Sequence, residues 1–319
     1  MSDLPLFVLC LLFSTMRRWF PFSSINRWIG AVLLAITIGA AAYVAVQLRT
    51  ILAVPPEQWP VDLVLYFRVV LFGALLMLCG ALIYRVAAAF TLNYDLDRNG
   101  LYINWLGNRA VVPLDQISHV DIGLAEVTRG WSPLSAIGYY SGQRRLEDGR
   151  LVHRFATAPN DRTLIIHTPE ALYAISPRDT EGFVQDLEQR RNLGAAKTLA
   201  SIVEPGRMFL YAFWHDPTVR RLLIVTFAIN LLVLGLLAAR YGSLSPMIEM
   251  RYNATGQVTA LQPRHDALFL PLAAFLLSLV NTALGLIMYQ SQRLGARLLQ
   301  GASVVVQLLF GIAVITILR

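Results

Sequence analysis

The sequence predicts an α-helical multi-span membrane protein of about five transmembrane helices, with an inserted cytoplasmic β-rich barrel capped by one carboxyl-terminal helix. Three observations carry this expectation. Hydrophobic residues make up 56% of the 319 residues and charged ones only 15%, which is membrane-protein composition. Long apolar stretches flank a charged island at 91–194. Inside that island the apolar repeat changes from helical to strictly alternating, the mark of half-buried strands.

A span needs about 20 mostly apolar residues. The windows 28–48, 222–239, 267–289 and 298–318 meet this without difficulty. A fifth, 61–84, carries Arg68 a third of the way in and has its effective core at 69–84, since a charge there must snorkel or pair. The expected organisation is a cytoplasmic segment at 1–27, a transmembrane hairpin at 28–90, the island at 91–194, an interfacial linker at 195–221 and a three-helix membrane region at 222–319. Leu4 to Phe13 is apolar but shorter than a span, with Arg17 and Arg18 after it rather than before it, unlike a secretory signal. Translation from Met16 and an interfacial lead-in both fit.

Arg17, Arg18, Arg27, Arg85, Arg220, Arg221, Arg293 and Arg297 fall on one side of a five-span arrangement. Arg49, Arg240, Arg251, Arg264 and Arg319 fall on the other. The positive-inside rule therefore places the amino terminus and the island in the cytoplasm and the carboxyl terminus outside. Cys10 and Cys79 lie far apart in apolar segments, so no disulfide framework or thiol metal site is expected.

Within the island, Leu92, Tyr94 and Leu96 alternate with polar residues in a strand that starts at Phe90. Asn99 and Gly100 are expected to supply the positive backbone angles of a tight hairpin into Leu101, Ile103 and Trp105. Gly107 and Asn108 mark the next turn. Further strands are expected at 110–114, 117–122, 163–167 and 172–176, giving a run of antiparallel hairpins. Ser176, Pro177 and Asp179 signal a helix start, Phe183, Val184 and Leu187 share one helical face, and Gly194 ends the helix.

The strings YDLDRNGLYINWLGNRAVVPLDQISHV and FATAPNDRTLIIHTPEALYAISPRDTEGFVQDL resemble the bacterial pleckstrin-homology-like (PH) domains over nearly the whole island. The resemblance rests on core and turn residues, so it implies a PH-like barrel more firmly than any activity. A second string, YGSLSPMIEMRYNATGQVTALQPRHDALFLPLAAFLLSLVN, resembles the membrane segment of unknown function in bacteriocin-immunity-type membrane proteins. Tyr252, Asn253 and Gly256 keep that family's turn, whereas Arg251 stands where the pattern often has His. Both resemblances imply a bacterial origin and thus the inner membrane.

No catalytic constellation stands out. His119, His153, His167, His215 and His265 are scattered without metal-ligand spacing, so neither a metal nor a cofactor is expected. His119 and Asp121 alternate along one strand and read as an exposed pair. The candidate lipid or partner surface is the insertion holding Arg129, Trp131, Arg144, Arg145, Arg150 and Arg154, where basic and aromatic residues interleave and could meet anionic lipid head groups. Nucleic acid is not an expected partner, because the net charge of +7 is dominated by the inside-positive flanks. Phe209 to Trp214, followed by Arg220 and Arg221, reads as an interfacial anchor. The polar span residues Asn230, Ser278, Asn281, Thr282, Gln300 and Gln307 read as helix-packing groups.

Two functional expectations follow. The first is a non-enzymatic membrane protein whose island binds, scaffolds or senses a protein partner, a second copy or the membrane surface. The alternative is a transport or immunity-type protein in which the helices act and the island regulates.

Overall fold

The computed structural model describes residues 16–123, 140–145, 149–158, 162–194, 197, 199, 202–204, 213–214, 216–252 and 258–318. They fall into two compact units, one within 1–38 and 77–206, the other within 39–76 and 207–319. Among the described residues, five helices are long and apolar enough to cross a membrane: α1 (Asn26–Leu52), α2 (Leu63–Thr91), α4 (Pro217–Arg240), α5 (Phe269–Met288) and α6 (Arg293–Ile317). Arg68 sits in the second turn of α2, near enough to the helix end to snorkel. Leu4 to Phe13, Cys10 and the Asn253 to Gly256 turn lie outside the described residues.

In the first unit, two five-stranded sheets enclose one core. The first sheet has the order β1-β2-β3-β4-β10, built from Arg17–Trp19, Asn93–Leu96, Gly100–Trp105, Asn108–Pro113 and Ile202–Glu204. The second has the order β5-β8-β9-β7-β6, from His119–Ile122, Leu164–His167, Ala171–Ile175, Leu151–Ala156 and Tyr140–Arg145. Helix α3 (Thr180–Asn192) closes the core with Phe183 and Leu187. Asp179 caps it as expected, accepting from the Gly182 amide at 3.0 Å, and Gly194 follows its end at φ +70°.

Several expectations need correction. The expected strand start at Phe90 is helical, because Ala87, Ala88 and Ala89 favour helix and the Thr91 hydroxyl donates back to Ala87 O at 2.7 Å. Residues 17–19, expected in a cytoplasmic tail, form β1 and pair with β2, and 202–204, expected in the linker, form β10 and pair with β4. Neither three-residue strand is long enough to show a period of its own. The run of hairpins is broken as well. The β8–β9 hairpin folds between β5 and β7, so β9 lies beside β7 in parallel register.

The turns also differ. Asn99 and Gly100 do not adopt positive φ. Asp97 Oδ1 instead accepts both their amides at 2.7 Å, and Gly100 is needed for space, since a Cβ there would stand 3.2 Å from Val112 O. The positive pair is Leu106 (φ 46°) and Gly107 (φ 75°), a two-residue turn joining Trp105 and Asn108.

In the second unit, α4, α5 and α6 are linked through their polar residues. Asn230 Nδ2 donates to Gln307 Oε1 and to Pro271 O, each at 3.0 Å, and Gln307 Nε2 donates to Ser278 Oγ at 2.9 Å. Asn281 Nδ2 donates to Ser303 Oγ, and Gln300 Nε2 to Asn281 O. Between α4 and α5 the chain forms a hairpin of β11 (Met247–Tyr252) and β12 (Val258–Pro263), which the sequence patterning did not announce.

The two sheets of the first unit are joined at Tyr94, which is fully buried. Its hydroxyl donates to Phe155 O at 2.7 Å and accepts from the Ser176 amide at 3.1 Å, so β2 of one sheet holds β7 and the end of β9 of the other. Burial pushes its pKa far up, offset in part by the Ser176 hydrogen bond. Tyr94→Phe keeps the ring and strands both partners. Denaturant unfolding of the detergent-solubilised chain is expected to show a loss of about 1–3 kcal/mol.

Candidate functional site

The outer face of the second sheet gathers the titratable groups. β5 is an edge strand, and its alternation sends Val120 toward the core while His119 and Asp121 point outward. On β8, Leu164 and Ile166 enter the core, and Ile165 and His167 take the outer face. Register then sets His167 directly opposite His119. The two imidazoles stack with centroids 3.9 Å apart, and Asp121 Oδ2 lies 3.4 Å from His119 Nε2 and 3.0 Å from His167 Nε2.

Exposure divides the three sharply. The His119 side chain is 58% exposed and that of Asp121 45%, whereas that of His167 is 9% exposed. Burial pushes the His167 pKa down, reinforced by His119 and Arg150 and opposed by Asp121. Ser118 anchors the cluster, its amide donating to His167 O at 2.9 Å and its hydroxyl to the same oxygen at 3.1 Å. Arg191 of α3 donates to the carbonyls of Ile117 and Ser118, holding the start of β5 against the helix.

The expected arginine surface is only partly assembled. Arg129 and Trp131 lie outside the described residues. Arg144 and Arg145 end β6, paired with Val152 and Leu151, and Arg150 stands just before β7, so one hairpin carries all three. Arg154 must be withdrawn from that surface. It is 2% exposed, on the strand face shared with the buried Val152.

A second polar centre lies in the second unit. Asp216 caps α4, accepting from the Thr218 and Val219 amides, from Tyr289 Oη at 2.8 Å and from Arg297 Nε at 2.9 Å. Burial alone would raise its pKa, but the bonds from Tyr289, Arg297 and the amides outweigh it and hold the carboxyl below its usual range. Every contact is directed inward, which is the pattern of a structural cap. Phe213 is buried against Tyr289 rather than lying on a membrane surface, while Trp214 is half exposed.

Residues 92–191 match the family model of the bacterial PH domain. The match therefore spans β2 to β9 and nearly all of α3. β1 and β10, the outer strands of the first sheet, are added from beyond its two ends. No curated protein and no solved structure is significantly similar to the chain. The grouping of His167 with His119 and Asp121 was missed in the sequence because they are more than forty residues apart. Only the register of β5 on β8, unreadable in either strand alone, brings them together.

On β7, His153 is buried beside Tyr173 with rings 5.2 Å apart, and burial lowers its pKa. The unfolded chain therefore takes up a proton near pH ~6.5 that the folded chain refuses. Stability is expected to be fully present above that pH and to fall as pH drops below it. His153→Phe should flatten the fall in thermal midpoint between about pH 7.5 and 5.5, read by tryptophan fluorescence.

Proposed function

We propose that the chain is a multi-span membrane protein, without catalytic activity of its own, that tethers a PH-like domain to the bilayer as a binding or scaffolding module. One observation carries this reading. Only Leu92 separates the last residue of α2 from the first of β2, and Ala88 and Ala89 of α2 belong to the domain core. A helix that ends inside a domain core tethers that domain directly to the span, which suits presentation of a surface to a partner.

The surface proposed for docking is the β6–β7 hairpin with Arg144, Arg145 and Arg150, facing a protein partner, a second copy or anionic head groups. The positive-inside pattern supports a cytoplasmic domain in the inner membrane of a bacterium. The span amides bond to one another across α4, α5 and α6, which supports packing rather than a transport path.

Two measurements test the reading. In a chain with Cys10 and Cys79 changed to Ala, the exposed position Glu188→Cys should react with an impermeant maleimide in inverted vesicles and not in sealed cells. Labelling from the cell exterior would reverse the orientation. Crosslinking in native membranes should capture a partner or a second copy with the wild-type chain and lose it in the Arg144→Gln, Arg145→Gln, Arg150→Gln triple. Equal capture by both would remove this hairpin from the proposal.

A further inference from the structure

Ser118 links the two histidines of the cluster. The Ser118 hydroxyl donates its single proton to His167 O, and His119 Nδ1 stands 3.2 Å from the same hydroxyl oxygen. That oxygen is within hydrogen-bond reach of the ring and of the His167 carbonyl together. His119 Nε2 faces Asp121 Oδ2 at 3.4 Å. His167 crowds the same oxygen at 3.0 Å, yet neither of its ring nitrogens makes an aligned hydrogen bond, although the residue is only 7% exposed. Three ligand atoms converge within 4.8 Å of one another.

We propose that His119, Asp121 and His167 form a site for a divalent transition-metal ion of the Zn²⁺ class, ligated by the two imidazole Nε2 atoms and the Asp121 carboxylate. Two imidazoles and one carboxylate select Zn²⁺, Co²⁺, Ni²⁺ or Cu²⁺ over the oxygen-seeking Mg²⁺ and Ca²⁺. Ligands about 2.1 Å from a tetrahedral ion stand about 3.4 Å apart, close to the 3.0 and 3.4 Å separations about Asp121. The stacked rings must turn to aim both lone pairs at one point, and His119, exposed on an edge strand, has room to do so. Ser118 Oγ, 3.2 Å from His119 Nδ1, is placed to accept the outer hydrogen bond that orients a metal-binding histidine. The exposed side of His119 and Asp121 leaves a fourth position for water or for a group from a partner.

Two cations bear on the site. Arg150 acts on His167 electrostatically and opposes metal binding, while the Arg191 guanidinium is directed to the carbonyls of Ile117 and Ser118.

The test uses the tag-free full chain, stripped of metal in detergent, then titrated with Zn²⁺ by calorimetry and with Co²⁺ by its visible absorption. One Zn²⁺ per chain is expected, with a tetrahedral Co²⁺ spectrum. His119→Ala and Asp121→Asn, both at exposed positions, should weaken binding at least about tenfold without moving the thermal midpoint of the metal-free chain. His265→Gln should bind as wild type, and Arg150→Gln should bind more tightly. Affinity should fall between about pH 7.5 and 5.5 as the imidazoles protonate. A wild-type chain that takes up no more Zn²⁺ than His119→Ala would overturn the proposal and leave the cluster as a proton-bridged pair. Binding unchanged in Asp121→Asn would also overturn it.

Discussion

The architecture of the first unit depends on the docking of Trp19. Its ring meets Phe183 edge-on with centroids 5.6 Å apart, and its indole N–H donates to Asp186 at 3.2 Å. Asp186 also accepts from the buried Arg190 at 2.8 Å. The three residues of β1 thus add an edge to the first sheet and fasten helix α3 to it from the same side. Thr157 Oγ1 bonding Phe22 O, and the Arg178 amide bonding Phe20 O, carry the tie onward toward the start of α1. A large buried aromatic in such a place contributes about 3–5 kcal/mol. Because β1 precedes α1 and α2 runs directly into β2, both helices of the first hairpin are built into the domain at their domain-facing ends. The PH-like fold is therefore completed by chain that the family match does not include.

How much of this was legible follows from the length over which each signal repeats. The five apolar helices announce themselves over twenty or more residues, and the Asp179 cap and Gly194 stop are local chemistry that needs no partner. The β2–β3–β4 meander is likewise readable, because Leu101, Ile103 and Trp105 alternate against polar neighbours. What failed was non-local. β1 and β10 are three residues each and become strands only by borrowing a neighbour's edge. The β7–β9 parallel pairing depends on where a later hairpin inserts. Arg154 looked like surface by residue type, yet tertiary packing places it on a buried strand face.

The same limit explains the histidine cluster. His119 and Asp121 share a strand face by simple alternation, and that much was visible. His167 joins them only through cross-strand register, and its two unsatisfied ring nitrogens are a property of the folded state alone.

The polar centres differ in how completely they are compensated, and the difference separates structure from function. Asp186 receives an indole N–H and a guanidinium. Asp216 receives a phenol, a guanidinium and two amides. Asn230 and Gln307 satisfy each other and reach two further acceptors or donors on α5. In each of these an acceptor meets a donor, and the cost of burying the group is offset within the fold. At Asp121 the carboxylate oxygen stands between the Nε2 atoms of His119 and His167, and both ring nitrogens of the buried His167 are without an aligned partner, at an edge strand open on one side. The arrangement becomes favourable once a cation enters, and the open side of β5 is where one can arrive.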